Sequence, residues 1–258
     1  MTKPGASLAT DLKVIMSFCT RLPLLQTAPV EGCDIARASW AFPIIGAVVG
    51  GAGALVYWTA FGIGLPPPPA AALALAATLV VTGCLHEDGL ADTMDGFGGG
   101  GGADRARKLE IMRDSRLGTY GASALAMSLL LRWSALAAIA EPALVAMALV
   151  AAHGAARGAM PAFMRLVPPA RRDGLSAKAG RPPLPSVGAA ALLGIGMLGL
   201  GLGLFGAAIC LVLLAAASLL MARLAMNQIG GQTGDVLGAL EQAGEIVILM
   251  TAAAIAKA

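Results

Sequence analysis

Stretch after stretch of about 20 apolar residues recurs along this chain, and as an α-helix each is long enough to cross a bilayer core of roughly 30 Å. The stretches are continuously apolar. They lack the inward/outward alternation of a membrane β-barrel, which leaves a helical bundle. Seven spans are expected, at 41–64, 70–85, 121–140, 142–161, 187–206, 207–225 and 236–256. The second is short and the breaks at 140–142 and 206–207 are little more than turns, so six or eight spans stay open. Composition agrees: charged residues make up 13% of the chain, against roughly 25% in a soluble domain. Small residues within the spans, as in 46–50 and 194–203, let helix backbones approach closely. The polar segments, none longer than about 35 residues, are too short to fold alone. Residues 1–258 therefore read as one all-α, polytopic membrane domain.

Residues 1–38 mix Asp11, Lys13 and Arg21 with Leu12, Val14, Ile15, Met16 and Phe18. That pattern has no uninterrupted apolar region of a secretory signal and fits an interfacial amphipathic helix. Lys3, Lys13, Arg21 and Arg37 precede the first span, and Arg105, Arg107, Lys108, Arg113 and Arg116 lie between the second and third. Arg165, Arg171, Arg172, Lys178 and Arg181 lie between the fourth and fifth, and Arg223 ends the sixth. The alternate connections contain no Lys or Arg. By the positive-inside rule, the N-terminus and the loops 86–120 and 165–186 face the cytoplasm. The net charge of +3 is thus a topology signal and implies no nucleic-acid partner. Cys19, Cys33, Cys84 and Cys210 form no C-x-x-C pair and are expected to stay reduced, as core filler.

Charge concentrates in His86–Gly121, which holds Asp88, Asp92 and Asp95 at i, i+4, i+7. On a helix these share one face, where carboxylate oxygens suit a hard divalent cation, Mg2+ above all. A solvated acidic face is the plain alternative, but Gly89, Gly96 and the run 98–102 are poor helix formers for such a surface. Glycines there suit close approach of the backbone to a bulky ligand. Next along the chain, Arg113 and Arg116 flank Asp114 and Ser115, ahead of a Gly-Thr-Tyr-Gly turn. Guanidinium forks beside a carboxylate-held metal form a constellation for phosphoryl transfer. Asp235 follows a Gly-Gly-x-Thr-Gly turn at the mouth of the last span, with Glu241 and Glu245 behind it. An ionisable residue inside a span costs on the order of 3 kcal/mol, so Glu245 faces the bundle interior or a wet cavity. Arg132, His153 and Arg157 meet the same test.

These motifs resemble the cobalamin synthase (adenosylcobinamide-GDP ribazoletransferase) family of bacterial vitamin B12 assembly. The resemblance rests on H-x-D-G-L-A-D-x-x-D-G at 86–96, L-E-I-M-R-D-S-R-L-G-T-Y-G at 109–121 and G-G-x-T-G-D-x-L-G-A at 230–239. "FCTRLP" at 18–23 and "PPARRDGL" at 168–175 resemble further family blocks, the long glycine run and Arg172 being departures. The resemblance implies a multi-pass enzyme of the cytoplasmic membrane that joins adenosylcobinamide-GDP to alpha-ribazole or its 5'-phosphate, with release of GMP. It implies Mg2+ held by Asp88, Asp92, Asp95 and Asp235, the first three also being catalytic. Substrate contacts would come from His86, Arg113, Asp114, Ser115, Arg116, Thr119, Tyr120, Arg157, Arg171, Thr233, Asp235 and Glu245. A homo-oligomer, or association with other B12-assembly enzymes, stays open. Two rivals fit less well. The CDP-alcohol phosphatidyltransferase pattern fails at Asp92, which follows D-G-L-A, and a transporter would show repeated halves with broken spans.

Overall fold

The computed structural model describes residues 7–22, 32–99, 102 and 104–256. Parts of the N-terminal segment (1–6 and 23–31), the Cys33 side chain and positions 100–101 of the glycine run lie outside the described residues. Helix α1 (Leu8–Cys19) starts at Ser7, whose Oγ accepts from the Thr10 N–H. It is docked on the bundle. Asp11 accepts from Arg37 of α2 (Gly32–Ala38) at 3.1 Å and from Trp40 at 2.9 Å, while Ile15 and Cys19 are fully buried.

The apolar runs then fold as expected. Helices α3 (Phe42–Gly62), α4 (Pro67–Thr82), α7 (Thr119–Ile139), α8 (Pro142–Leu166) and α11 (Gly234–Ile255) match five of the spans. Prolines at the first turns of α3, α4 and α8 cost nothing, because those N–H groups have no helical partner. Gly46 and Gly50 of α3 lie directly on the His153 and Leu149 carbonyls of α8, the close approach their size permits.

Helix α10 (Leu184–Gln228) has 45 residues, about 68 Å if straight and more than twice a bilayer core. It is broken at Gly203, whose φ of 69° only glycine adopts readily. The two legs run antiparallel. Gly194 and Gly201 of the first lie against Ala155 and Met147 of α8, whereas Gly206 and Leu214 of the second meet Ile255 and Gly244 of α11. The two expected spans are both present, with the reversal at Gly203 rather than at 206–207.

Among the described residues, five helices are long and apolar enough to cross a membrane, and six if α4 and the next helix count as one bent span. Counting the legs of α10 separately gives seven crossings. Segment 86–120, expected as a loop, holds two helices, α5 (Leu85–Gly98) and α6 (Arg105–Ile111), and 165–186 holds the short α9 (Leu175–Ala179). Basic segments gather at one end of the bundle: Lys108 meets Gln228, Arg113 meets Asp173, Arg165 donates to the Pro182 carbonyl, and Ser186 donates to that of Arg37. Connections without cations meet at the other, where the Tyr57 hydroxyl donates to the Ala140 carbonyl and Trp133 to that of Pro68.

Candidate active site

Gly83 and Cys84 both take left-handed backbone angles (φ 62° and 59°), and the chain turns through 88° between α4 and α5. This swings α5 across the basic end of the bundle, onto the N-terminal turn of α11. The two helices cross in van der Waals contact: a Cβ on Gly89 would lie 2.8 Å from the Asp235 carbonyl and 3.2 Å from the Gly238 Cα. That crossing puts Asp235 among the α5 carboxylates. Asp88, Asp95 and Asp235 are the negative charges that act on Asp92, and Arg171 is the cation among them. Asp88 is exposed and Asp92 half-buried, and neither has an ion-pair partner among the described residues.

Loops complete the site. Thr233 caps α11 by accepting from the Val236 N–H, and its hydroxyl donates to Asp235 at 3.1 Å. The segment after α8 is tied to the turn before α11: the Ala170 N–H donates to the Gln232 carbonyl (2.9 Å) and the Gln232 N–H to that of Pro168 (2.8 Å). Arg171 is thereby held 3.5 Å from Asp235, and Asp173 pairs with Arg113. The Arg113 guanidinium holds the Asp173 carboxyl below the usual carboxylate range. Beside the carboxylates lies a cavity of about 140 Å3. Asp88, Asp235 and His86 line it together with Phe18, Ile35, Phe42, Met160 and Met164.

A second cluster lies deeper, between α5, α7, α8 and α11. Arg132 reaches Glu245 at 2.8 Å and Glu87 at 3.2 Å. Arg157 bonds Glu245 at 3.0 Å, pairs with Glu241, and points its other Nη at His86 Nδ1, 3.2 Å away. Glu245 also meets His153, and Gln242 donates to both Glu87 and Glu241. Each of these residues is at most 8% exposed, so two guanidiniums are locked among three carboxylates. His153, Glu241 and Glu245 bring ligand atoms within 4.8 Å of one another. Both arginines already fill that space with positive charge, so the cluster reads as an ion-pair network rather than a metal cage.

Several expected site residues stand elsewhere. Both Asp95 oxygens are engaged, accepting from the N–H groups of Gly118 (2.7 Å) and Gly121 (2.8 Å), so this carboxylate anchors the first turn of α7. Arg157 and Glu245, expected as substrate contacts, are 1% and 0% exposed and committed to each other. Arg116 pairs with the adjacent Asp114, whose carboxyl its hydrogen bonds pull down to about 2. Ser115 and Thr119 are exposed, and Tyr120 lies over Gly98. The glycines of α5 serve helix packing rather than ligand approach: Gly89 meets α11 and Gly96 lies under Met112. His86, Asp88, Asp92, Arg113, Arg171, Thr233 and Asp235 do come together around the α5–α11 crossing. Asp173, Gln232, Glu87 and Gln242 were missed. Asp173 falls in the quoted block at 168–175 without a role there, and its partner Arg113, like the Ser176 partner of Gln232 and the Arg132 partner of Glu87, is distant in sequence.

The cobalamin-5-phosphate synthase family profile matches residues 11–253. An adenosylcobinamide-GDP ribazoletransferase of Bradyrhizobium diazoefficiens is 60% identical over 253 residues, covering 98% of this chain and 96% of the relative. Proteins of the same name from Mesorhizobium japonicum and Ralstonia nicotianae are 51% and 41% identical, covering 98% and 93% of this chain and 96% and 93% of the relatives. No solved structure matches the chain.

Proposed function

Since this chain belongs to the cobalamin-5-phosphate synthase family, we propose that the carboxylates at the α5–α11 crossing are its reaction centre. The protein is a membrane transferase that joins adenosylcobinamide-GDP to alpha-ribazole, or its 5'-phosphate, and releases GMP, in the final assembly of cobalamin. A ribazole hydroxyl oxygen forms a bond to the phosphorus that carries the cobinamide, the pyrophosphate P–O bond breaks, and GMP departs with that bridging oxygen.

The observation that carries the assignment is the convergence of Asp88, Asp92 and Asp235 with Arg171 and, through Asp173, Arg113. The donor set fits Mg2+, which takes hard oxygen ligands, one or two carboxylates at a time, together with substrate phosphates. Asp88 and Asp92, without ion pairs among the described residues, would hold it, and bound there it would neutralise charge developing on the pyrophosphate. Asp235, fixed by the Thr233 hydroxyl, takes the proton of the attacking hydroxyl. Arg113 and Arg171 bind the phosphate oxygens of the nucleotide. Asp95 acts indirectly, holding the start of α7 against α5. The gathering of Lys and Arg at this end favours a reaction face on the cytoplasmic side of the bacterial inner membrane.

The test is GMP release by the purified protein in lipid nanodiscs. Adenosylcobinamide-GDP should yield GMP only when alpha-ribazole or its 5'-phosphate and Mg2+ are both present. Release without the ribazole would make the protein a hydrolase and sink the reading.

A further inference from the structure

We propose that the groove between α8 and the two legs of α10 binds one acyl chain of an anionic phospholipid, whose phosphate lies at Arg223 and Asn227. This site is separate from the reaction centre and does not depend on it.

The groove follows from the break in α10. Both legs join at Gly203, but the first lies along α8 and the second along α11, so a slot opens between them. Ala159 and Ala162 of α8, Ile195 and Leu198 of the first leg, and Leu211 and Leu219 of the second are among its walls. Ile195 and Leu219 are 43% and 62% exposed, so the slot opens onto the apolar outer surface that a bilayer covers. It shares no lining residue with the cavity at Asp88 and Asp235. Met160 and Met164 of α8 line that cavity, whereas Ala159, Ala162 and Phe163 line the groove.

Size selects the occupant. The groove holds about 650 Å3. From Leu211 to Asn227 the second leg, at 1.5 Å per residue, runs for about 24 Å. A helix of a second copy, about 10 Å across, would need roughly 1,900 Å3 over that length, about three times the space present. A methylene takes about the volume of a liquid water, roughly 30 Å3, so a chain of about 17 carbons needs about 500 Å3. That fits. The polar side chains on the walls, among the described residues, are Ser218, Arg223 and Asn227, too few to satisfy a column of water.

Charge selects the headgroup. Arg223 and Asn227 stand at i, i+4 in the last turns of α10, at the basic end of the bundle, and no carboxylate lines the groove. Arg223 is exposed and has no ion-pair partner among the described residues. Just beyond Asn227, Arg105 lies against Gly230 and Lys108 bonds Gln228, so the neighbouring surface is positive as well. A phosphate diester accepts from the guanidinium and the amide, and a lipid without a cationic group of its own leaves that attraction uncancelled.

Native mass spectrometry tests this on protein released from nanodiscs that hold equal parts of phosphatidylglycerol and phosphatidylcholine with matched chains. Wild-type protein should retain one phosphatidylglycerol about fivefold in preference to phosphatidylcholine, the scale of one cation at an anionic lipid. Arg223→Gln should remove the preference. Ala159→Phe fills the groove and should lower retention of either lipid about tenfold while the melting temperature holds. Photolabelling needs no variant to fold. A phosphatidylglycerol with a diazirine on its chain should mark 155–166 and 211–227, and unlabelled phosphatidylglycerol should compete ahead of phosphatidylcholine. Equal retention of the two lipids by wild-type protein would overturn the headgroup contact. Labelling that spares both stretches, or a folded Ala159→Phe with unchanged retention, would overturn the groove assignment. A lipid-free wild-type dimer that Ala159→Phe breaks would give the groove to a second copy and overturn the proposal too.

Discussion

Replacing Gly89 by alanine tests whether the α5–α11 spacing sets the reaction centre. The added Cβ would sit 2.8 Å from the Asp235 carbonyl oxygen, 3.0 Å from its Cα and 3.2 Å from the Gly238 Cα. All three are backbone atoms, so no side-chain rotation relieves the overlap. The closest approach falls about 0.6 Å short of the 3.4 Å at which ordinary contact begins. On its other faces α5 is tied by Glu87 to Arg132 and by Asp95 to the first turn of α7, so the gap opens at the crossing. Overpacking of this kind costs about 1–3 kcal/mol, offset by up to about 1 kcal/mol from placing alanine in a helix. The separation that grows is also that between Asp88 or Asp92 and Asp235. Reaction centres tolerate about 0.5 Å of displacement, and a misplacement of about 1 Å can cost a hundredfold. We therefore expect GMP release to fall about ten- to a hundredfold, with stability lowered by at most about 3 kcal/mol. Gly196→Ala, where an added Cβ meets nothing within 4 Å, is the control and should keep wild-type rates. A Gly89→Ala protein with wild-type turnover would refute the claim that this crossing distance positions the carboxylates.

Asp88→Asn and Asp92→Asn should each lower turnover about a thousandfold or more while the melting temperature holds, and chelation of Mg2+ should do the same to wild-type protein. Arg113→Lys should cost about 1–3 kcal/mol in kcat/KM for adenosylcobinamide-GDP, because a lysine cannot form the planar fork, whereas Arg107→Lys, at a side chain paired with Glu110 on the surface, should be silent. Arg132→Met leaves Glu87 buried without a cation and Glu245 with Arg157 alone, and should destabilise the fold by about 3–5 kcal/mol, read as a lowered melting temperature in nanodiscs. In a cysteine-free background, cysteines at Ser115 or Lys178 should resist an impermeant thiol reagent on intact cells, and labelling there would invert the orientation.

The spans were legible because burial in lipid demands a long, predominantly apolar run, and α3, α7, α8 and α11 supply one despite the few charges they bury. The turn inside α10 was located only to within the connection 203–206, because the stretch 194–206 is rich in glycine throughout and only backbone angles single out Gly203. The bend before α5 was invisible, since Cys84 carries no residue preference for its left-handed conformation. At the site, the Asp88, Asp92, Asp235 grouping followed from spacing and motif, yet spacing could not tell Asp92 from Asp95. The third aspartate of one helical face is drawn away by two N–H groups more than twenty residues along the chain. Arg132, Arg157 and Glu245 announced themselves as charges in apolar runs. Their mutual pairing joins three helices and had no local trace.

Chain order gives the buried arginines a consequence for biogenesis. Arg132 and Arg157 enter the bilayer with α7 and α8, when Glu87 is the sole carboxylate of the cluster yet made. A cation inside a span without a carboxylate partner, here Arg157, carries a penalty on the order of 3 kcal/mol until Glu241 and Glu245 arrive on the last helix. The same helix carries Asp235. Insertion of α11 therefore discharges the electrostatic penalty and completes the carboxylate site in a single event. A chain that stops one helix early lacks Asp235 together with both carboxylates that neutralise Arg157, so the candidate site and the balance of buried charge are gained or lost together.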